Sequence, residues 1–186
     1  MTATETPVDD PAWILWRKQG ITASDVANAY TGQYGGAYAV VANKLDLLPP
    51  VERNERMARG HRWEQRIADA VHVLTGLYVH GEQTWCQNVG EPMHRATIDG
   101  MLSPLAEASI DDIEALLEVK TTGVGVRPSW DAWAAQCQWQ MWCTGMPRAL
   151  IAWATIDDTD DCFVDLRHRW VDRDAVLPDA LVVLAP

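Results

Sequence analysis

Residues 116 to 122 read LLEVKTT, and this stretch constrains the fold more than any other. A short apolar run closing on polar residues is a buried strand. Side chains two apart on a strand share a face. Glu118 and Lys120 therefore emerge side by side, with Val119 turned into the core. The chain has twelve Arg and only three Lys, so a Lys here answers a local chemical need rather than a need for bulk charge. An acid and a base on one edge of a buried strand call for partners from elsewhere in the chain.

The rest of the chain reads as helices, three strands, a helix and two strands. Helices are expected over 11–19, opened by Pro11, and over 21–30, with Thr22 or Ser24 as its cap. TGQYGGAY is a turn, and a third helix over 39–48 stops at Pro49 and Pro50. The longest helical pattern runs from 53 to 75 and ends at Gly76. Strands follow near 77–86, 93–99 and 114–121, with a loop over 103–113. A helix over 129–144 and strands near 148–155 and 162–170 complete the chain. This order suits one domain over 1–186, an α/β fold with a central mixed sheet flanked by helices, residues 1–10 forming a loose arm.

Carboxylates recur at places where a core would not want them. The apolar stripe of the long helix reads Met57, Gly60, Ile67, Ala68, Val71 and Leu74, and Glu64 falls on it. Either an Arg pairs with Glu64, the helix rolls to expose it, or it is a ligand. Asp99, in HRATIDGML, shares a strand face with Thr97 and precedes Gly100. Asp-Gly is also a common turn pair. Across a hairpin-like unit Asp99 would meet Glu118. Hard oxygen donors so placed suit Mg²⁺ or Mn²⁺, with the backbone carbonyl of Val119 as a further ligand and Lys120 beside the ion.

Four blocks together resemble a known family: WRKQGITASDV (16–26), ARGHRWEQ (58–65), TIDGML with LLEVKTT (97–122), and AAQCQWQMWCTG (134–145). They are similar to those of the lambda exonuclease and YqaJ-type viral recombinases, within the PD-(D/E)xK nuclease superfamily, with Ile98 standing where that name has Pro. The resemblance implies a restriction-endonuclease-like core and a Mg²⁺-dependent deoxyribonuclease using one or two ions. It makes Glu64, Asp99 and Glu118 the metal-binding carboxylates and Lys120 the catalytic lysine. Gln136 becomes the active-site glutamine, with Gln138 as the neighbouring candidate. Arg17 and Ser24, with Thr22 at the start of the same helix, match a pocket for the 5′-phosphate of a DNA end. It further implies 5′ to 3′ digestion of double-stranded DNA ends for phage-type recombination. A single-strand annealing protein as partner, a trimeric homo-oligomer and a bacterial host cytoplasm belong to the same expectation. The alternatives are a Cas4- or RecB-like nuclease and a catalytically inactive DNA-binding module of the same fold.

Charge and cysteines bear on these readings. The net charge of −11 gives no bulk attraction to nucleic acid, so contact would rest on a local basic patch. Arg53, Arg56, Arg59, Arg62 and Arg66 recur at near-helical spacing, and Arg59 and Arg62 are the candidate DNA contacts among them. Cys86, Cys137, Cys143 and Cys162 include no CxxC, so no iron–sulfur cluster is expected. The N-terminus is acidic and polar rather than a signal peptide, and no apolar run is long enough to span a bilayer.

Overall fold

Alternation along the central strands places one helix on each face of a sheet. The structure, a computed structural model, describes residues 10–49, 54–157, 159 and 162–174, and leaves the side chain of Arg56 undescribed. The helices are α1 (Pro11–Lys18), α2 (Ala23–Thr31), α3 (Gly36–Lys44), α4 (Glu55–Thr75) and α5 (Trp130–Thr144). The strands are β1 (Tyr78–His80), β2 (Thr84–Gln87), β3 (Arg95–Ile98), β4 (Gly100–Ser103), β5 (Ala115–Gly123), β6 (Arg148–Asp157) and β7 (Cys162–Asp172). Five strands form one mixed sheet in the order β1-β4-β5-β6-β7, and β2 and β3 pair apart from it. Among these strands only β5 and β6 pair in parallel, and α5 is their crossover. This is the mixed sheet flanked by helices that the order of elements suggests.

On β5, Leu117 and Val119 face α4, where they pack with Trp63, Ile67, Ala68 and Val71. Leu116 faces α5 and packs with Trp133, Cys137 and Met141. A third apolar cluster ties α2 and α3 to α5 through Val26, Val40, Trp139 and Cys143. Local chemistry starts α1, α2 and α4 close to where the sequence suggests. Asp10 caps α1 by accepting from the Ala12 N–H at 2.8 Å, and Asn54 caps α4 by accepting from Met57 at 3.0 Å. The Asp25 carboxylate accepts from the Thr22 backbone at 2.8 Å, closing the first turn of α2.

Several expectations need correction. The single strand expected near 77–86 is two strands in two sheets, β1 and β2. The expected loop over 103–113 is preceded by β4, and Ile110–Asp112 forms a 3₁₀ turn. Both differences have one cause. The chain bends at Asp99, so β3 pairs with β2 while β4 pairs with β1 and β5. The third helix occupies 36–44 rather than 39–48. On α4 the stripe holds at Ile67, Ala68 and Val71, which are buried, but Trp63 is buried with them, whereas Met57 and Leu74 are exposed. Arg53 and most of the proposed arm lie outside the described residues. Among the described residues no helix is long and apolar enough to cross a membrane.

Leu117 is fully buried between the sheet and α4. Leu117→Ala should lower stability by about 2–5 kcal/mol in urea unfolding. A cost under about 1 kcal/mol would contradict this packing.

Candidate active site

The bend at Asp99 opens a fork beside β5. β4 covers β5 only as far as the Gly100–Leu117 pair, so from Glu118 onward β5 has β6 on one side and the fork on the other. The Asp99 carboxylate fills the fork, accepting from the Val119 N–H at 2.7 Å. In an extended strand the N–H and C=O of one residue point to the same edge. The Val119 carbonyl is therefore directed to the fork as well.

Glu118 and Lys120 share one face of β5, as their spacing requires. The Lys120 ammonium is paired with Glu118 Oε1 and donates to Gln136 Oε1 at 3.1 Å. The second oxygen of Glu118 accepts from Gln140 Nε2 at 2.5 Å. Glu64 reaches the same place from α4. The Gln83 amide donates to Glu64 Oε1 and to Asp99 Oδ1 at 3.4 Å, while His61 Nδ1 lies 3.7 Å from Glu64 Oε2.

This grouping perturbs its members. Burial first, then repulsion from Glu118, holds Glu64 above the ordinary carboxylate value. Burial, Glu118 and Glu64 push Asp99 up further. Burial opposes charge on Lys120, yet Glu118 and Asp99 outweigh it and raise the amine. Three carboxylates thus face one ammonium, an excess of negative charge in a desolvated place. Hard oxygens carrying that excess fit a divalent cation in chemistry and charge. As the side chains stand, no group of three or more His, Cys, Asp or Glu among the described residues is arranged to hold one. Gln83 lies between Glu64 and Asp99, and Lys120 and Gln140 take up the oxygens of Glu118.

A second cluster sits at the start of α2. Arg17 Nη2 donates to Ser24 Oγ at 2.7 Å and to Thr22 Oγ1 at 3.3 Å. Asp25, the neighbour that would repel an anion, is paired with Lys44 at 2.7 Å. The two clusters are physically joined. The Arg17 guanidinium lies 4.6 Å over the Trp13 ring, and Trp13 Nε1 donates to Thr97 Oγ1 at 2.9 Å, two residues before Asp99. Ile21 anchors the segment to the strand end, donating to the Met93 carbonyl at 2.8 Å and accepting from Arg95 at 2.9 Å. A Cβ on Gly20 would collide with that same carbonyl, so glycine is what lets the two backbones meet.

The remaining candidates separate. Gln138 is a fastening, donating to the Asp172 carbonyl at 2.8 Å and accepting from Asp174 N at 2.9 Å. Gln140 takes the place at the carboxylates instead. It lies one helical turn after Gln136, a spacing that could have flagged it. Gln83 had no sequence signal: it sits in a turn with a left-handed φ of 54°. The Arg row is not one track. Arg59 is half-buried beside Gly123 at the end of β5, Arg62 lies 3.7 Å from Glu55, and Arg66 packs over Trp63. Cys137 and Cys143 are buried in α5, and Cys162 is exposed at the start of β7.

Repulsion among the acids works against the stability of this site. Asp99→Asn removes one charge and keeps an oxygen for the Val119 N–H. It should raise the thermal unfolding midpoint in EDTA, as should Glu64→Gln, and a lowered midpoint in both would contradict the electrostatic picture.

Comparison with known proteins bears on family and fold. The YqaJ-like viral recombinase domain matches residues 12–147. The structure is similar to an alkaline exonuclease, LHK-Exo from Laribacter hongkongensis, with a TM-score of 0.68 and 20% identity, covering 94% of this chain and 88% of that one. The same exonuclease in complex with dAMP gives a TM-score of 0.69 and 19% identity over the same shares. A phage related exonuclease from Haemophilus somnus 129PT gives 0.66 and 14%, covering 89% of each chain. Comparison with curated protein sequences gives no match. The family match takes in Arg17, Ser24, Glu64, Asp99, Glu118, Lys120 and Gln136, and the chain belongs to the YqaJ-like viral recombinase domain family.

Proposed function

We propose that this chain is a divalent-cation-dependent DNA exonuclease that takes duplex ends by their 5′-phosphate and digests one strand in the 5′ to 3′ direction. The observation that carries the reading is the meeting of Glu64, Asp99, Glu118 and Lys120 at one fork in the sheet. Asp99, Glu118 and the Val119 carbonyl would hold Mg²⁺ or Mn²⁺, with Glu64 as a further ligand. When bound, such an ion polarises the phosphate and lowers the pKa of its water.

The protein's own groups do the rest. Lys120 brings a positive charge and hydrogen-bond donors to the attacked phosphate. Gln136 holds that amine in place by accepting a hydrogen bond from it at 3.1 Å. Gln140 fixes the carboxylate plane of Glu118, and Val119 N–H fixes that of Asp99. Arg17, Ser24 and the first turn of α2 supply a fork and backbone donors for a terminal phosphate. Their link through Trp13 and Thr97 sets the distance between the end-binding pocket and the acids.

End-labelled duplexes test the scheme. The protein should release nucleotides from 5′-phosphorylated ends in Mg²⁺, lose activity in EDTA, and prefer those ends over 5′-hydroxyl ends. Lys120→Ala should reduce the rate by about 100-fold or more, and Arg17→Ala should erase the preference for the phosphorylated end. Digestion that persists in EDTA, or an undiminished rate in Lys120→Ala, would refute the mechanism.

A further inference from the structure

Between the two clusters lies a pair of indoles that neither uses. Trp85, on β2, is 38% exposed. Its ring stacks on Trp16 of α1, with centroids 5.6 Å apart and planes at 24°. Its place follows from strand geometry. Trp85 is paired with Thr97, the residue that receives the Trp13 N–H, and directly opposed residues on antiparallel strands share a face. Gln83, which contacts Glu64 and Asp99, precedes Trp85 by two residues in the chain. Cys86, between Trp85 and Gln87, instead turns inward to pack with Ile98 and Met141. The exposed indole therefore stands with Gln83 and the acids on one side and Trp13 with Arg17 on the other.

Core tryptophans in this protein are buried, as Trp63, Trp133, Trp139 and Trp153 are. Trp85 is not, and the groups around its partner are cationic. The Arg95 guanidinium lies 5.1 Å from the centre of the Trp16 ring. Arg95 donates to the Trp16 carbonyl and to that of Pro92 at 3.1 Å, contacts that orient it without cancelling its charge. A flat apolar ring with a guanidinium beside it suits a nucleobase and its phosphate.

We propose that Trp85, backed by Trp16, is a stacking platform for the base of the nucleotide at the 5′ end of the strand being digested. The inference rests on the exonuclease reading and adds to it the group that holds the terminal base. A nucleotide whose 5′-phosphate sits at Arg17 and Ser24 and whose 3′ side reaches the acids has its base beside Trp85. Stacking is indifferent to base identity, as a nuclease that must pass through any sequence requires. Arg95 adds positive charge at the same end.

A 5′-phosphorylated duplex with 2-aminopurine as its 5′-terminal base tests this in EDTA, where the substrate stays intact. Binding of the full-length protein should quench the probe. Trp85→Ala should abolish the quench at saturation and weaken binding roughly ten-fold. Trp85→Phe, which retains an aromatic face, should keep most of both, and the circular dichroism of both variants guards against misfolding. Arg17→Ala should weaken binding yet quench fully at saturating protein. Unchanged affinity and quench in Trp85→Ala would overturn the platform while leaving the nuclease reading intact, and would assign the tryptophan pair to another partner. Failure of the unaltered protein to bind the duplex end would instead remove the reading on which the platform depends.

Discussion

Glu118 has none of its surface exposed, and it stands on the central strand of the sheet. A carboxylate so placed is costly unless every lone pair finds a donor. Lys120 satisfies one oxygen and Gln140 the other. These two contacts set the geometry of much else. The ammonium lies on the same strand face, and its second partner, Gln136, lies one helical turn from Gln140. The rotation of α5 over the sheet is thus fixed by two amides as well as by Trp133, Cys137 and Met141. A buried polar network of this kind adds little net stability and much specificity of arrangement.

The fork at Asp99 is the second half of the same design. A strand that continued straight would have covered Glu118 and Lys120 with its own ladder. The bend sends β3 away to β2, and the Asp99 carboxylate takes over the Val119 N–H that the ladder would have paired. Gly100 makes the bend compatible with close packing, because a Cβ there would stand 2.7 Å from Val79 Cγ1. The Asp-Gly pair therefore has two duties. Its turn chemistry redirects the chain, and its acid becomes part of the site.

Much of this was legible because it depends on short-range periodicity. Glu118 and Lys120 share a face for any strand, and Gly76 stops the long helix, although α3 closes at Lys44, short of Pro49 and Pro50. Glu64 stood out because a stripe of apolar residues made it anomalous; the stripe holds at Ile67, Ala68 and Val71, but Trp63 rather than Met57 or Leu74 completes it. What stayed hidden depends on three dimensions. The division of 77–86 into strands of two sheets follows from where β3 and β4 diverge, which no local pattern encodes. Gln83 reaches the acids only because its backbone adopts a left-handed turn. Gln138 and Gln140 look alike in the sequence, and only the helix rotation separates a fastening for β7 from a donor to Glu118.

Charge unites the two clusters. At the fork, three carboxylates meet one ammonium, and at the start of α2, Arg17 and Lys44 meet one carboxylate, Asp25. Neighbouring subsites joined through Thr97 and Trp13 therefore carry opposite excess charge. On the proposed reading, a DNA end is attracted first by the basic pocket, while the bare acidic fork repels the phosphate that must enter it. A divalent cation at the fork would reverse that repulsion for the phosphate that enters the acids, while the basic pocket holds the terminal phosphate with or without the ion. A chain with a net charge of −11 can then hold a polyanion, because the charges that matter are the few it meets at short range.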